Sequence, residues 1–491
     1  MASEAFEILP VEMLTKILQS LSTPRDLASL IRASPGCFRT YIARPVPVIS
    51  AILKTAIHPR VLHHALAVFY APERDLLTPQ LRSAYLDRYF LTEGAGAESF
   101  ALPRDKATLQ TLWKLHSRTT YFLDDYTSKA ADLLNDKPFR AHLRPGTFAK
   151  PLSDKEHKRL QRAFYRHELY CRIFPVKCRC FFPNTGSYVS AADQSALFLT
   201  KLEPWEIEEM SCVHYYFTTV TQDMVDDLQD QLVGAALAAP GVQRSSKQVH
   251  YPYDDLRYAT WRSSDTEYIP IGDVTLERSD DEMTVFRQLH YMDLGMYAKE
   301  EGERAERFLT YVASRGSSFV YRLVSANSDQ RKAIIRAGGP APYTGDFLPD
   351  AVREIRNQHL SAIGMFTDRL NATSEIEPDI EALARSLNKL ARYDTYLQLD
   401  YLRVIGAPLR AIALCFWDLE RLKNTGITAS LKLAVESHQE TGQRFALYKR
   451  KSAEEQLEGV SLPWSEVRRL KEEFGTTDDW DKDLCSNFIA Q

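Results

Sequence analysis

Leu9-Pro10-Val11-Glu12-Met13-Leu14-Thr15-Lys16-Ile17-Leu18-Gln19-Ser20-Leu21 is the most sharply patterned stretch of the chain. Leu14, Ile17, Leu18 and Leu21 recur at i, i+3, i+4 and i+7, which puts one apolar stripe on a short helix. Pro10 stands near its start, where a missing N–H costs nothing. A second helix is announced by Thr23 as N-cap, Pro24 as first residue and Asp26 three positions after the cap. Leu27, Leu30 and Ile31 form its apolar face. Ser34-Pro35 repeats the cap-and-proline start, and Phe38, Tyr41 and Ile42 supply a third stripe. Three helices this short bury little by themselves, so the unit needs a partner surface or the rest of the chain.

The helical signal continues outward from there. Pro45 and Pro47 predict a break, after which 48–57, 59–70 and 78–91 read as helices. Residues 92–99 are a loop by composition. Longer helices are expected at 105–134 and 153–174. In the second of these, Leu160, Ala163, Phe164, His167, Tyr170, Cys171 and Phe174 keep helical spacing throughout. Helices at 187–200 and 204–237 follow.

Residues 240–278 are rich in Gly, Pro, Ser, Thr, Tyr and Asp without a period, which predicts a linker or insertion with room for a short strand around Asp273–Glu277. Helices are expected again at 280–297, 301–314 and 318–337. After a loop at 338–345, weaker periodicity marks 346–370, 376–402, 407–424, 428–439 and 463–474, before an acidic tail from Gly475. The division in chain order is a three-helix unit at 1–45, helical regions at 46–239 and 279–460 flanking the 240–278 segment, and a C-terminal helix and tail at 461–491. No repeat of fixed period appears, which argues against a regular solenoid. The expected fold is all-α: a three-helix unit followed by an irregular multi-helical body.

Composition agrees with that reading. Glycine is about 4% (20 of 491 residues), against a usual ~7%, so tight turns are few. A net charge of −4 gives no global pull toward nucleic acid or an anionic membrane. The seven cysteines, Cys37, Cys171, Cys178, Cys180, Cys212, Cys415 and Cys485, are sparse and odd in number, as expected of free thiols in a reducing compartment. The opening residues lack a signal-peptide pattern, and no uncharged apolar run approaches the ~18 residues of a membrane span. A cytoplasmic or nuclear location is expected.

The Leu9–Leu21 helix, with Arg25-Asp26-Leu27-Ala28-Ser29-Leu30 after it, resembles the F-box. That motif opens on Leu-Pro, an acidic residue and an Ile/Leu-x-x-Leu helix, then runs to a turn ending in Asp-Leu. In the family this unit binds the Skp-family adaptor of cullin–RING ubiquitin ligases. The resemblance implies that Leu9, Pro10, Leu14, Ile17, Leu18, Leu21, Leu27 and Leu30 form the docking surface or its immediate support. Where many F-boxes carry a Cys and a Trp-Arg pair, this chain has Ser34-Pro-Gly-Cys-Phe-Arg-Thr-Tyr41, with Phe38 and Tyr41 to supply the bulk. Three further segments, Arg162–Cys171, Pro204–Glu208 and Cys415–Leu422, look like parts of large F-box-like proteins of filamentous fungi. The function implied is substrate recognition in a ubiquitin ligase, bringing an unidentified protein target near the machinery without performing chemistry. An adaptor-binding or scaffold protein without a ligase role is the alternative.

Asp226-Asp227-Leu228-Gln229-Asp230 has the form of a Mg²⁺-diphosphate motif of helical prenyl-chain enzymes. Phe217, Val220, Met224, Leu228 and Leu232 define the buried face of that helix, however, so the acids read as a solvated face. His167, Cys171, Cys178, Cys180, Cys212 and His214 offer a zinc set only with poor spacing, since Cys-x-Cys is not the usual knuckle. Lys155, Lys158, Arg159, Arg162, Arg166, Arg172, Lys177 and Arg179 read as a solvated basic helix face, with an acidic or phosphate contact as the alternative. No phosphate loop, Gly-x-Ser-x-Gly or His-Glu-x-x-His occurs. No cofactor, metal, nucleic acid or membrane partner is expected, and the chain is expected not to be an enzyme.

Overall fold

The computed structural model describes residues 6, 8–21, 23–73, 76–93, 100–135, 150–176, 189–244, 282–284, 309–338, 346–358, 410–418, 421 and 460–474. The expected strand around Asp273–Glu277, the helices at 376–402 and 428–439 and the acidic tail lie outside these residues. Among the described residues the architecture is all-α apart from one small antiparallel ribbon.

The first three helices are α1 (Val11–Gln19), α2 (Pro24–Ala33) and α3 (Pro35–Ala43). Both expected caps form: the Thr23 hydroxyl accepts from the Asp26 N–H at 3.1 Å, and the Ser34 hydroxyl from the Cys37 N–H at 3.2 Å. The expected break at Pro45 and Pro47 is instead the start of a helix, α4 (Pro45–Ala56). Prolines in a first turn remove only N–H groups that have no helical acceptor. Helix α4 has two apolar faces. Val48 and Ile52 join Leu14, Leu18, Leu27 and Cys37 in a small core, while Ile49 and Leu53 belong to the main one.

The body continues with α5 (Pro59–Tyr70), α6 (Pro79–Glu93), α7 (Lys106–Asn135), α8 (Asp154–Ile173), α9 (Ala191–Leu197) and α10 (Pro204–Leu237). Helix α8 opens on a full capping box: Ser153 accepts from the Glu156 N–H, and Glu156 accepts from the Ser153 N–H at 2.8 Å. From Leu160 on it is buried on nearly every side and packs against α5 and α7. The expected helix over 318–337 is two, α11 (Ser317–Ser325) and α12 (Ser328–Gly338). Asn327 caps the second, accepting from the Gln330 N–H at 3.0 Å. Residues 309–314 are also helical, and α13 (Leu348–Gln358) and α14 (Trp464–Phe474) follow.

Two expected helices are corrected. Within 280–297, residues Glu282–Thr284 form β2, not helix; with β1 (Gln243–Arg244) and β3 (Val460–Pro463) they make a ribbon in the order β1-β3-β2. Pairing of Met283 with Leu462 satisfies the backbone there, a long-range choice that overrides local pattern. Within 407–424, residues 410–411 are helical, but 412–418 form a turn and a short 3-10 helix at Leu414–Phe416. Ala413 sits in the left-handed region at φ 56°, which a continuing α-helix excludes. Ile412–Trp417 is apolar and buried throughout, and periodicity cannot tell such a run from a helix.

The contacts divide the chain into two compact units. The first comprises Met1–Thr221, Leu309–Val324 and Pro342–Gly442; the second comprises Gln222–Phe308, Ser325–Ala341 and Gln443–Gln491. They interleave along the sequence, whereas the expected division runs in chain order. The second unit has its own core of Leu232, Val233, Ala236, Ala239, Leu462, Leu470 and Phe474.

Candidate functional site

Two places in the first unit carry unusual side-chain chemistry. One is the outside of the three N-terminal helices. Leu18 is 0% exposed and, with Leu14 and Leu27, lies inside the small core. Leu9, Leu21 and Leu30 are partly buried against it, Ile17 is half-buried, and Pro10 is exposed. Of the residues singled out for docking, Leu14, Leu18 and Leu27 are therefore core, and Pro10 is the one that is exposed.

The exposed apolar side chains here are others. Helix α3 buries Gly36, Cys37 and Thr40, so the predicted stripe of Phe38, Tyr41 and Ile42 is split. Tyr41 packs inward, while Phe38 is 47% and Ile42 56% exposed. The two stand at i and i+4, on one side of the helix. Val11 and Met13 on α1, and Ile8 just before it, are exposed as well. The missed signal was the small side of α3. A Cβ at Gly36 would stand 3.2 Å from the Phe6 carbonyl, so the chain approaches closely there and turns the bulky side chains out.

The second place is the basic helix α8. Its arginines are not a solvated face, although Lys155 is exposed as expected. Arg166 is 1% exposed and pairs with Glu206 at 2.7 Å; Arg162 reaches Glu206 at 3.0 Å and Glu209 at 2.7 Å. Arg159 holds Asp418 at 2.7 Å and the Phe416 carbonyl. Arg172 donates to the Val68 carbonyl at 3.0 Å. Glu156, itself fully buried, takes Arg421 through both oxygens at 2.8 and 2.7 Å, and the Asp418 N–H at 2.8 Å. Arg410 makes a forked pair with Glu208. The ion pairs form separate groups: Arg162 and Arg166 join the Arg162–Cys171 and Pro204–Glu208 segments through Glu206, while Asp418 and Arg421 are held by Arg159 and Glu156 at the start of α8. Lys177 and Arg179 lie outside the described residues.

Burial alone pushes the Glu206 carboxyl up, but the Arg166 and Arg162 guanidiniums outweigh it and hold it below its ordinary range. The histidines nearby go the other way. Burial drives His116 down to about 4 and His167 down to about 3, and places His64 and His214 well below the ordinary imidazole value. At neutral pH they are uncharged. His116 and His64 meet the Tyr165 and Tyr89 hydroxyls at 2.9 and 2.8 Å.

Compared with known proteins, the chain matches no family model, no curated protein and no solved structure. What it does must be read from its own residues. Among the described residues there is no group of three or more His, Cys, Asp or Glu placed to hold a metal ion. Cys178 and Cys180 lie outside them. On α10, Phe217, Val220, Met224, Leu228 and Leu232 are the buried face, as expected. Asp227 and Asp230 are exposed, with Arg331 at 3.8 Å from Asp227. No described helix is long and apolar enough to cross a membrane.

Proposed function

We propose that the N-terminal helices are an F-box-like unit that docks onto an Skp-family adaptor, and that the chain serves as a substrate-recognition subunit of a cullin–RING ubiquitin ligase. The observation that carries this reading is the pair of apolar side chains, Phe38 and Ile42, turned outward from a unit that has its own closed core. A small helical unit that leaves Val11, Met13, Phe38 and Ile42 in water gains from an apolar partner surface. The exposed ring and aliphatic groups are the anchors, and the buried leucines hold the helices that present them. The chain itself contributes proximity rather than chemistry.

The test is calorimetric titration of the full chain with an Skp-family adaptor. Phe38→Asp combined with Ile42→Asp is expected to remove binding while circular dichroism stays unchanged. Absence of binding by the wild type, or unaltered binding by the double variant, would defeat the reading. Co-purification of a cullin separates a ligase subunit from an adaptor-bound scaffold.

A further inference from the structure

Cys212 on α10 and Cys415 in the Leu414–Phe416 turn lie 203 positions apart in sequence, yet their sulfurs stand 3.3 Å apart. Neither is in a disulfide, and both are buried. Of the described cysteines, Cys37 lies in the small N-terminal core and Cys171 sits beside His167 and the Ala313 carbonyl. Only the Cys212–Cys415 contact brings two sulfurs together among the described residues.

The segment bearing Cys415 is held to the first unit by polar contacts around the pair. Arg410 forks onto Glu208 one helical turn before Cys212, and the Tyr126 hydroxyl donates to the Arg410 carbonyl. The Trp417 indole N–H donates to the Ile412 carbonyl at 2.8 Å, closing the turn on itself. Ala413, in the left-handed region, aims the turn so that Leu414, Cys415 and Phe416 all face inward. The two thiols are thus positioned by fixed elements on both sides. Closing a disulfide asks the sulfurs to approach to ~2.05 Å, a small movement of two side chains.

We propose that Cys212 and Cys415 are a reversible redox pair, oxidised by hydrogen peroxide or an alkyl peroxide to a disulfide that clamps residues 410–418 onto α10. In the first step the Cys212 sulfur, as thiolate, attacks the peroxide O–O bond, since burial and the contact with Cys212 push the Cys415 thiol up and keep its proton. A sulfenic acid forms, and the displaced hydroxide or alkoxide takes up the thiol proton. In the second step the other sulfur attacks the sulfenic sulfur, its proton leaving with the hydroxyl as water. Two thiols are oxidised and one peroxide is reduced. The neighbouring sulfur makes the second step intramolecular, so it outruns further oxidation to the sulfinic acid. Transient, reversible bonds of this kind are how disulfides occur in reducing compartments.

The experiment uses the purified full-length chain, reduced, then treated with hydrogen peroxide, blocked with N-ethylmaleimide and mapped by mass spectrometry without reduction. A cross-linked peptide joining Cys212 to Cys415, lost on adding dithiothreitol, is expected as the main intrachain product. The oxidised wild type should also melt at a higher temperature than the reduced protein, because the cross-link restrains the unfolded chain. The Cys415→Ser variant should show no such rise. Recovery of both cysteines as maleimide adducts or sulfinic acids, or cross-links to other cysteines in their place, would overturn the assignment. So would an oxidised wild type that melts no higher than its reduced form.

Discussion

The three N-terminal helices and the surroundings of α8 treat their side chains in opposite ways. The former close around Leu14, Leu18, Leu27, Cys37, Val48 and Ile52 and leave Phe38, Ile42, Val11 and Met13 outside. The latter draw Arg159, Arg162, Arg166 and Glu156 inward and pair each with a charged or carbonyl partner. Between 150 and 240, no large apolar side chain among the described residues is exposed. A region that satisfies its polar groups internally is finished as it stands. One that leaves aromatic and aliphatic groups in water offers apolar surface, which the proposed docking of the N-terminal helices would use.

The substitution that strains this contrast most is Leu18→Asp. Its carboxylate would sit unpaired in an apolar core, costing several kcal/mol, so the N-terminal helices are expected to unfold. Near-ultraviolet circular dichroism or rapid proteolysis before residue 45 checks this. Phe38→Asp on the same unit should change stability by less than about 0.5 kcal/mol, because its side chain already faces water. Equal damage from both would erase the distinction between support and surface.

Next comes Glu156→Gln. It removes one charge from a buried pair with Arg421 and weakens the α8 capping box, with an expected cost of about 3–5 kcal/mol. Chemical denaturation of the full chain measures it. A cost below 1 kcal/mol, in the range of surface pairs, would mean that the cluster is solvated after all.

Acid should sharpen the same contrast. His116 and His167 titrate near 4 and 3 when folded, against about 6.5 when unfolded. Between those values the unfolded chain binds more protons, so stability is lost as pH falls from about 6.5 toward 3. Glu206, held low when folded, adds a further loss below the ordinary carboxylate range. His116→Asn should flatten the slope between about pH 6.5 and 4. An unchanged slope would remove His116 from the account.

A smaller effect is expected from Gly316→Ala. This residue has φ 84°, and an added Cβ would fall 2.8 Å from Glu168 Oε2, which accepts the Ser317 N–H at 2.6 Å. A loss of about 1–3 kcal/mol should follow. Thr23→Ala, which removes the α2 cap, should cost about 1 kcal/mol and nothing elsewhere.

Sequence periodicity was reliable where one face of a helix is buried and caps are spelled out, as at Thr23 and Ser34. It was unreliable where burial is complete. Nothing in Ile412–Trp417 marks a turn, and the arginines of α8 look solvated until their partners on α10 and at 418–421 are brought alongside. The docking stripe had the same weakness. Leucines at helical spacing mark what a helix hides, while the exposed face was betrayed only by the small residues Gly36, Cys37 and Thr40 beneath it. The split at Asn327 was legible in Asn327-Ser-Asp-Gln330, a capping pattern inside an otherwise continuous period.

Glu156 also bears on the timing of synthesis. Its carboxylate starts α8 and receives Arg421, 265 residues later in the chain. At a translation rate of ~5–20 residues per second, roughly 15–50 s separate the two on the ribosome. Throughout that interval α8 has its cap but not its guanidinium, and Arg159 lacks Asp418. The interior of the first unit therefore matures only after its last strap is made, while the N-terminal helices, whose core contacts end at Trp113, are free to close long before.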